Sequence, residues 1–259
     1  MMLQVIYALF LLWYMPSINA DDTHVVRGWE DGNSPISSIV EDTDKVPFSH
    51  ALWDELLKRY VSHEGHVKYK EMLAAKGKLE KYLAQLASHV PDVSWSRTAA
   101  MAYWINAYNA FTVKLILDHY PVTSIRDIHK GNPWDVRWIE LGDKRYSLNE
   151  IEHEILRKRY GDARIHFAVN CAARSCPPLY NRAFTPDNLD EVLDQRAQRF
   201  INNPAFNRVT PTKAALSKIF EWYRSDFGDL ISYINRYSEV KLQPNAKIFF
   251  LEYDWHLNE

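Results

Sequence analysis

The sequence predicts an α+β fold: a single mixed domain, mainly helical, with a small sheet. Three observations predict it. Helical periodicity recurs along the chain, short apolar or alternating runs bounded by turn residues are confined to its middle and end, and no repeat or low-complexity tract divides it. With 47% hydrophobic residues, the 259 positions supply one sizeable core of roughly 150 to 250 residues. Lys plus Arg number 31 against 33 acids, so no positive excess advertises a nucleic-acid partner.

Residues 1–20 hold the uncharged apolar run VIYALFLLWYM, then Pro16, Ser17 and the small-residue ending Ile18-Asn19-Ala20 before Asp21. This is the layout of a secretory signal peptide cleaved after Ala20, and it predicts a secreted or periplasmic protein. MMLQ lacks the usual basic n-region, so an uncleaved amino-terminal anchor is the alternative. No later run reaches the ~20 apolar residues of a membrane span. Residues 21–45, rich in Asp, Glu, Ser and Gly, read as a mobile leader, and 46–259 as the folded domain.

From Pro47, Leu52, Leu56, Leu57 and Tyr60 recur at helical spacing, with Ser49 as N-cap and Gly65 in the turn that follows. A second helix is expected over 69–88, with Met72, Leu73, Leu79, Tyr82, Leu83 and Leu86 inward. The segment 96–120 is apolar nearly all round, which describes a buried helix, and its polar exceptions Asn106 and Asn109 must each find a partner. They either tie loops to the helix or serve chemistry, as orienter or oxyanion donor. An aromatic loop with Trp134 and Trp138 follows, then a hairpin at Gly142-Asp143. Ser147 and Glu150 are spaced as a capping box for a helix over 147–159, which carries Glu152 and His153. Later come a helix over 187–202, strands at 206–209 and 214–216, helices from Ser217 and after Gly228, and a final strand at 247–253. Histidines outside the central stretch and the 147–159 helix, His50 among them, read as surface or cap residues.

The central stretch is RIHFAVNCAARSCPPL, residues 164–179, which holds both cysteines of the chain. Ile165, Phe167 and Val169 alternate with His166, Ala168 and Asn170, the period of a strand, so Cys171 is expected at a strand end before Pro177 and Pro178. A thiol there is held by a scaffold and open to a ligand. Arg174 beside it is a candidate to lower the thiol pKa or bind a substrate carboxylate, and Trp222, Tyr223 and Asp226 are candidates to line the same cleft.

Five motifs in order, AYWINAYNAFTV (102–113), SLNEIEHEILR (147–157), HFAVNCAARSCPPL (166–179), KIFEWYRSDF (218–227) and YDWHLN (253–258), make the chain resemble the family catalogued as domain of unknown function 547. The resemblance runs from about Phe48 to the carboxyl end. Plant relatives often carry a leucine zipper ahead of the domain and are regarded as interaction proteins, whereas bacterial relatives of this type tend to be exported. This chain has no heptad segment, so the zipper role does not carry over. Plant members keep a cysteine matching Cys171 and replace Ser175-Cys176-Pro177 with Ser-Ser-Pro, which marks Cys171 as the shared thiol.

Three functions are consistent with these residues. The first is a thiol hydrolase or acyltransferase of papain or transglutaminase type, on a fold of that kind, with Cys171 as nucleophile. His153 is its first base, with Glu152 or Asn106 as orienter. His166 is second, because on one strand it would face away from Cys171. Asn109 and backbone amides after Cys171 are its oxyanion donors. Its substrate would be a peptide or small thiol-peptide, with no cofactor; no motif sets an oligomeric state. The second is a non-catalytic structural or interaction domain with a Cys171 to Cys176 disulfide. The third is a metal site on His166, Cys171 and Cys176, which lacks a CxxC pair.

Overall fold

The computed structural model describes residues 48–259; the expected signal segment, its expected cleavage point and the expected leader fall outside the described residues. Helix α1 (Ala51–Tyr60) buries Trp53, Leu56, Leu57 and Tyr60. His50 rather than Ser49 stands at its N-cap. His50 is also buried, hydrogen-bonded to the Tyr82 hydroxyl at 2.7 Å, and burial pushes its pKa down to about 4. It is a core residue, not the surface or cap residue its polar neighbours suggest.

The expected helix over 69–88 is broken into α2 (Tyr69–Met72), a 3₁₀ turn (Leu73–Ala75) and α3 (Lys76–Ser88), which leaves Leu73 exposed. Between α1 and α2, Gly65 has φ +89°, and a Cβ there would lie 2.4 Å from the Pro178 Cβ. Only glycine lets this turn meet the double-proline segment.

Helix α4 (Arg97–His119) is the axis of the larger core, capped by Ser96, whose hydroxyl accepts the Ala99 N–H at 3.1 Å. Hairpin β1 (Ile139–Leu141) and β2 (Lys144–Tyr146) pair antiparallel as the Gly142-Asp143 signal predicts. The capping box is present, since the Ser147 hydroxyl accepts the Glu150 N–H and the Glu150 carboxylate accepts the Ser147 N–H. The helix that follows, Glu150–Tyr160, is wound in the wider π form.

The second half comprises α5 (Leu189–Ile201), β3 (Arg208–Thr210), β4 (Lys213–Leu216), α6 (Ile219–Trp222), a 3₁₀ turn (Arg224–Asp226), α7 (Leu230–Tyr237) and β5 (Lys247–Phe250). Strand β4 is central, antiparallel to β3 and parallel to β5. These elements enclose a second apolar cluster around Phe167, Phe200, Phe220 and Phe227. The architecture is the α+β, mainly helical arrangement with small sheets that the sequence predicts.

The central stretch departs from expectation. Ala163–Phe167 is a 3₁₀ helix capped by Asp162, not a strand. Residues 165–170 are all buried, so the alternation has no solvent face to define. Their backbone groups bond locally and to side chains of α4 instead of to a neighbouring strand.

Asn106 and Asn109 are the side chains that tie this region to α4. Asn106 donates to the Phe184 carbonyl at 2.8 Å and accepts the Phe184 N–H at 3.1 Å. Asn109 donates to the Ala168 carbonyl at 2.9 Å and accepts the Asn170 N–H at 2.8 Å. Asn106→Ala strips both partners from a buried peptide group, and each orphaned group costs about 1 to 3 kcal/mol. A urea melt of this variant is expected to show a loss of roughly 2 to 6 kcal/mol.

Candidate active site

A pocket of about 260 Å³ opens where the two apolar clusters meet. Cys171, Cys176, His166 and Glu152 line it together with Tyr108, Tyr223 and Tyr253. Trp134, Trp222 and Trp255 complete an aromatic wall.

The loop that presents Cys171 is held from inside by Asn170. Its side-chain oxygen accepts the Ala172 N–H at 2.9 Å and the Asn258 amide at 3.2 Å, and its nitrogen donates to the Pro177 carbonyl at 2.9 Å. The tail closes over the loop, as Asn258 donates its N–H to the Ala172 carbonyl and accepts the Tyr69 hydroxyl. Ala172 has φ +63°, a left-handed conformation that costs a non-glycine residue energy and persists here inside this set of bonds.

Both cysteines are free thiols. The Cys176 sulfur accepts the Cys171 N–H at 2.9 Å, and the Tyr253 hydroxyl lies 3.2 Å from the Cys171 sulfur. Hydrogen bonds from Cys176, from Tyr253 and from the Ala173 N–H lower the Cys171 pKa below the ordinary thiol value, against the opposing effects of burial and the Glu152 charge. Burial raises the Cys176 thiol and the Tyr253 phenol, so both keep their protons as donors. Cys171 is thus the thiol that ionises.

His166 donates from Nε2 to the Asp226 Oδ2 at 2.8 Å and stacks on Tyr223 with ring centroids 4.0 Å apart. Arg157 grips the same carboxylate twice, from Nε at 2.6 Å and from an Nη at 2.7 Å. The Arg157 bonds first, and then His166, hold the Asp226 carboxyl well below the usual carboxylate range. An ionised Asp226 can only accept, so in the neutral imidazole the proton sits on His166 Nε2 and the lone pair on Nδ1, which makes no hydrogen bond among the described residues.

The sequence-predicted residues divide accordingly. Cys171, His166, Glu152, Trp222 and Tyr223 line the pocket, and Asp226 stands behind His166 instead of meeting a ligand. His153 is not among the lining residues; its Nδ1 accepts from Arg157 at 3.2 Å. Asn106 and Asn109 spend their amides on backbone ties, which leaves neither as orienter or oxyanion donor. Arg174 bonds the Leu257 carbonyl at 3.3 Å, away from the pocket lining. The amides after Cys171 are also engaged: Ala172 with Asn170, Arg174 with His256, Ser175 with Asp254 and Cys176 with Ala173. Among the described residues, no three His, Cys, Asp or Glu side chains are placed to hold a metal ion.

Sequence reasoning passed over Tyr108, Tyr253, Trp255 and Asn170. All four lie inside motifs already singled out, but an aromatic on a buried helix or near the carboxyl end carries no mark of its role until the tail is seen to fold back.

Residues 93–201 match the model of the family described as Protein of unknown function, DUF547. The match supports the resemblance over this segment, which carries Asn106, Asn109, Glu152, His166, Asn170 and both cysteines. Trp222, Asp226, Tyr253 and Trp255 come from beyond it. No curated protein and no solved structure matches the chain. No helix among the described residues is long and apolar enough to cross a membrane.

Because the folded-state pKa of Asp226 is depressed, its stabilising contribution is complete above the unfolded value of about 3.9 and is lost as pH falls through the folded value. Denaturant melts at decreasing pH are expected to show stability falling below about pH 4. Asp226→Asn should be less stable at neutral pH and show a smaller fall.

Proposed function

We propose that this chain is an exported thiol-dependent hydrolase or acyltransferase acting on a peptide or amide bond. The observation that carries the reading is the sharing of one pocket by a thiol of lowered pKa and the His166–Asp226 pair. The layout of residues 1–20 supports export.

In this mechanism His166 Nδ1 takes the Cys171 proton, and the sulfur attacks the carbonyl carbon of the substrate. The C–N bond then breaks, the leaving amine takes the proton back from His166, and an acyl-enzyme remains. Water or another acceptor gives its proton to His166, attacks the acyl carbon and regenerates the thiol. Asp226 keeps the imidazole in the required tautomer and stabilises the imidazolium. The oxyanion is received by tyrosine hydroxyls. Burial raises the pKa of Tyr108 far above its ordinary value, so its pocket-lining O–H remains a donor at all working pH values.

A panel of peptide anilides and amides supplies the test. Cys171→Ala should abolish turnover while leaving the fold intact, and Cys176→Ala should keep part of it. His166→Ala should cost roughly 10²-fold or more in kcat, while His153→Ala should stay within about tenfold of the parent. Turnover that survives Cys171→Ala sinks the proposal.

A further inference from the structure

Glu152 has no task in the thiol mechanism. It is 5% exposed, lines the pocket beside Cys171 and forms no ion pair among the described residues. Its neighbour on the same helix, Arg157, feels the Glu152 charge but spends its hydrogen bonds on Asp226, and no Lys or Arg lines the pocket. Tyr223 stands beside Glu152 in the pocket lining and brings no charge. A carboxylate withdrawn from water without a hydrogen-bonded counter-charge is unfavourable, and a cationic ligand in the pocket would relieve that cost.

The walls around it suit the same ligand. Trp222 and Trp255 stack with centroids 5.9 Å apart, Tyr253 packs on Trp255 at 4.5 Å and Trp134 meets Trp255 at 5.6 Å. Trp222 is 47% exposed at this wall, so its ring is open to a ligand in the pocket. Aromatic faces attract cations, and they do so alongside an acid in sites that select ammonium groups.

We propose that Glu152, with the aromatic wall of Trp134, Trp222, Tyr253 and Trp255, is a recognition site for a primary ammonium group on the substrate. Resting on the acyl-transfer reading, this makes the substrate class a peptide or amide that carries a free amine near the bond attacked by Cys171. The site adds a link to the chemistry: the Glu152 charge opposes ionisation of Cys171, and a bound ammonium offsets it, so the thiol is most nucleophilic when the pocket is filled.

The test is a tryptophan-fluorescence titration of the full chain with 2-phenylethylamine and with its neutral counterpart 2-phenylethanol. The amine should bind at least about tenfold more tightly, and Glu152→Gln should erase the difference. Equal affinities, a preference that survives Glu152→Gln, or no amine binding by about 10 mM would overturn the site. The comparison on the unmodified protein stands even if the variant does not fold. Competition by phenylalaninamide or by Nα-acetyl-lysinamide then distinguishes an α-ammonium from a side-chain ammonium as the ligand, each in support. Iodoacetamide reactivity of Cys171 is scored separately. A reactive thiol without amine preference rejects this site alone, and an amine preference beside an inert thiol rejects the acyl-transfer reading alone.

Discussion

The structure around the pocket depends on a relay of buried side-chain amides. Asn109 on α4 holds the Asn170 backbone, Asn170 holds both ends of the Cys171 loop, and Asn258 reaches Asn170 from the tail while Tyr69 bonds Asn258. Asn109 and Asn170 each supply a donor and an acceptor, and Asn258 a donor, to a loop whose ladder pairing among the described residues is a single Ala173–Leu257 bridge. The loop can therefore be irregular and still rigid, and the left-handed Ala172 shows that it is over-determined. A regular strand would have placed His166 and Cys171 on opposite faces; the 3₁₀ turn and the amide-held loop bring both to one pocket.

Electrostatics in the pocket follow from which groups keep their protons. Burial holds Cys176, Tyr108 and Tyr253 in their neutral, donating forms, and the Tyr253 hydroxyl meets the Cys171 sulfur. On the opposite side Arg157 and His166 keep Asp226 ionised, which settles the His166 tautomer. The outcome is one ionisable thiol and one imidazole with a free lone pair, separated in sequence by a turn and joined in space by the cavity. Glu152 is the remaining charge, and it acts against the thiolate unless it is met by a cation.

Much of the fold was legible because packing obeys period and turn chemistry. The all-round apolar run of α4, the Gly142-Asp143 hairpin and the Ser147/Glu150 capping box all read directly into structure. The central stretch did not, because its alternation reflects burial on every side, and a period-two reading assumes one wet face. Cys171, His166 and Glu152 were legible as chemistry-bearing residue types. The proposed preference for His166 over His153 was not, since it turns on Asp226 lying 60 positions away in sequence, and on Arg157 occupying His153. Long-range pairings of this kind leave no periodic trace. Asn106 and Asn109 show the converse: a buried amide announces a partner, and only the fold reveals that the partner is backbone.

The proposed chemistry depends on the ionisation of Cys171. Ultraviolet absorbance of the thiolate against pH, taken as the difference between the full chain and its Cys171→Ser variant, measures it directly. The structure predicts that this difference titrates below the reference thiol value of 9.0, and that Tyr253→Phe moves it upward. A difference that titrates at or above that value, or that ignores Tyr253→Phe, would contradict the activated thiol on which the reading of the pocket rests.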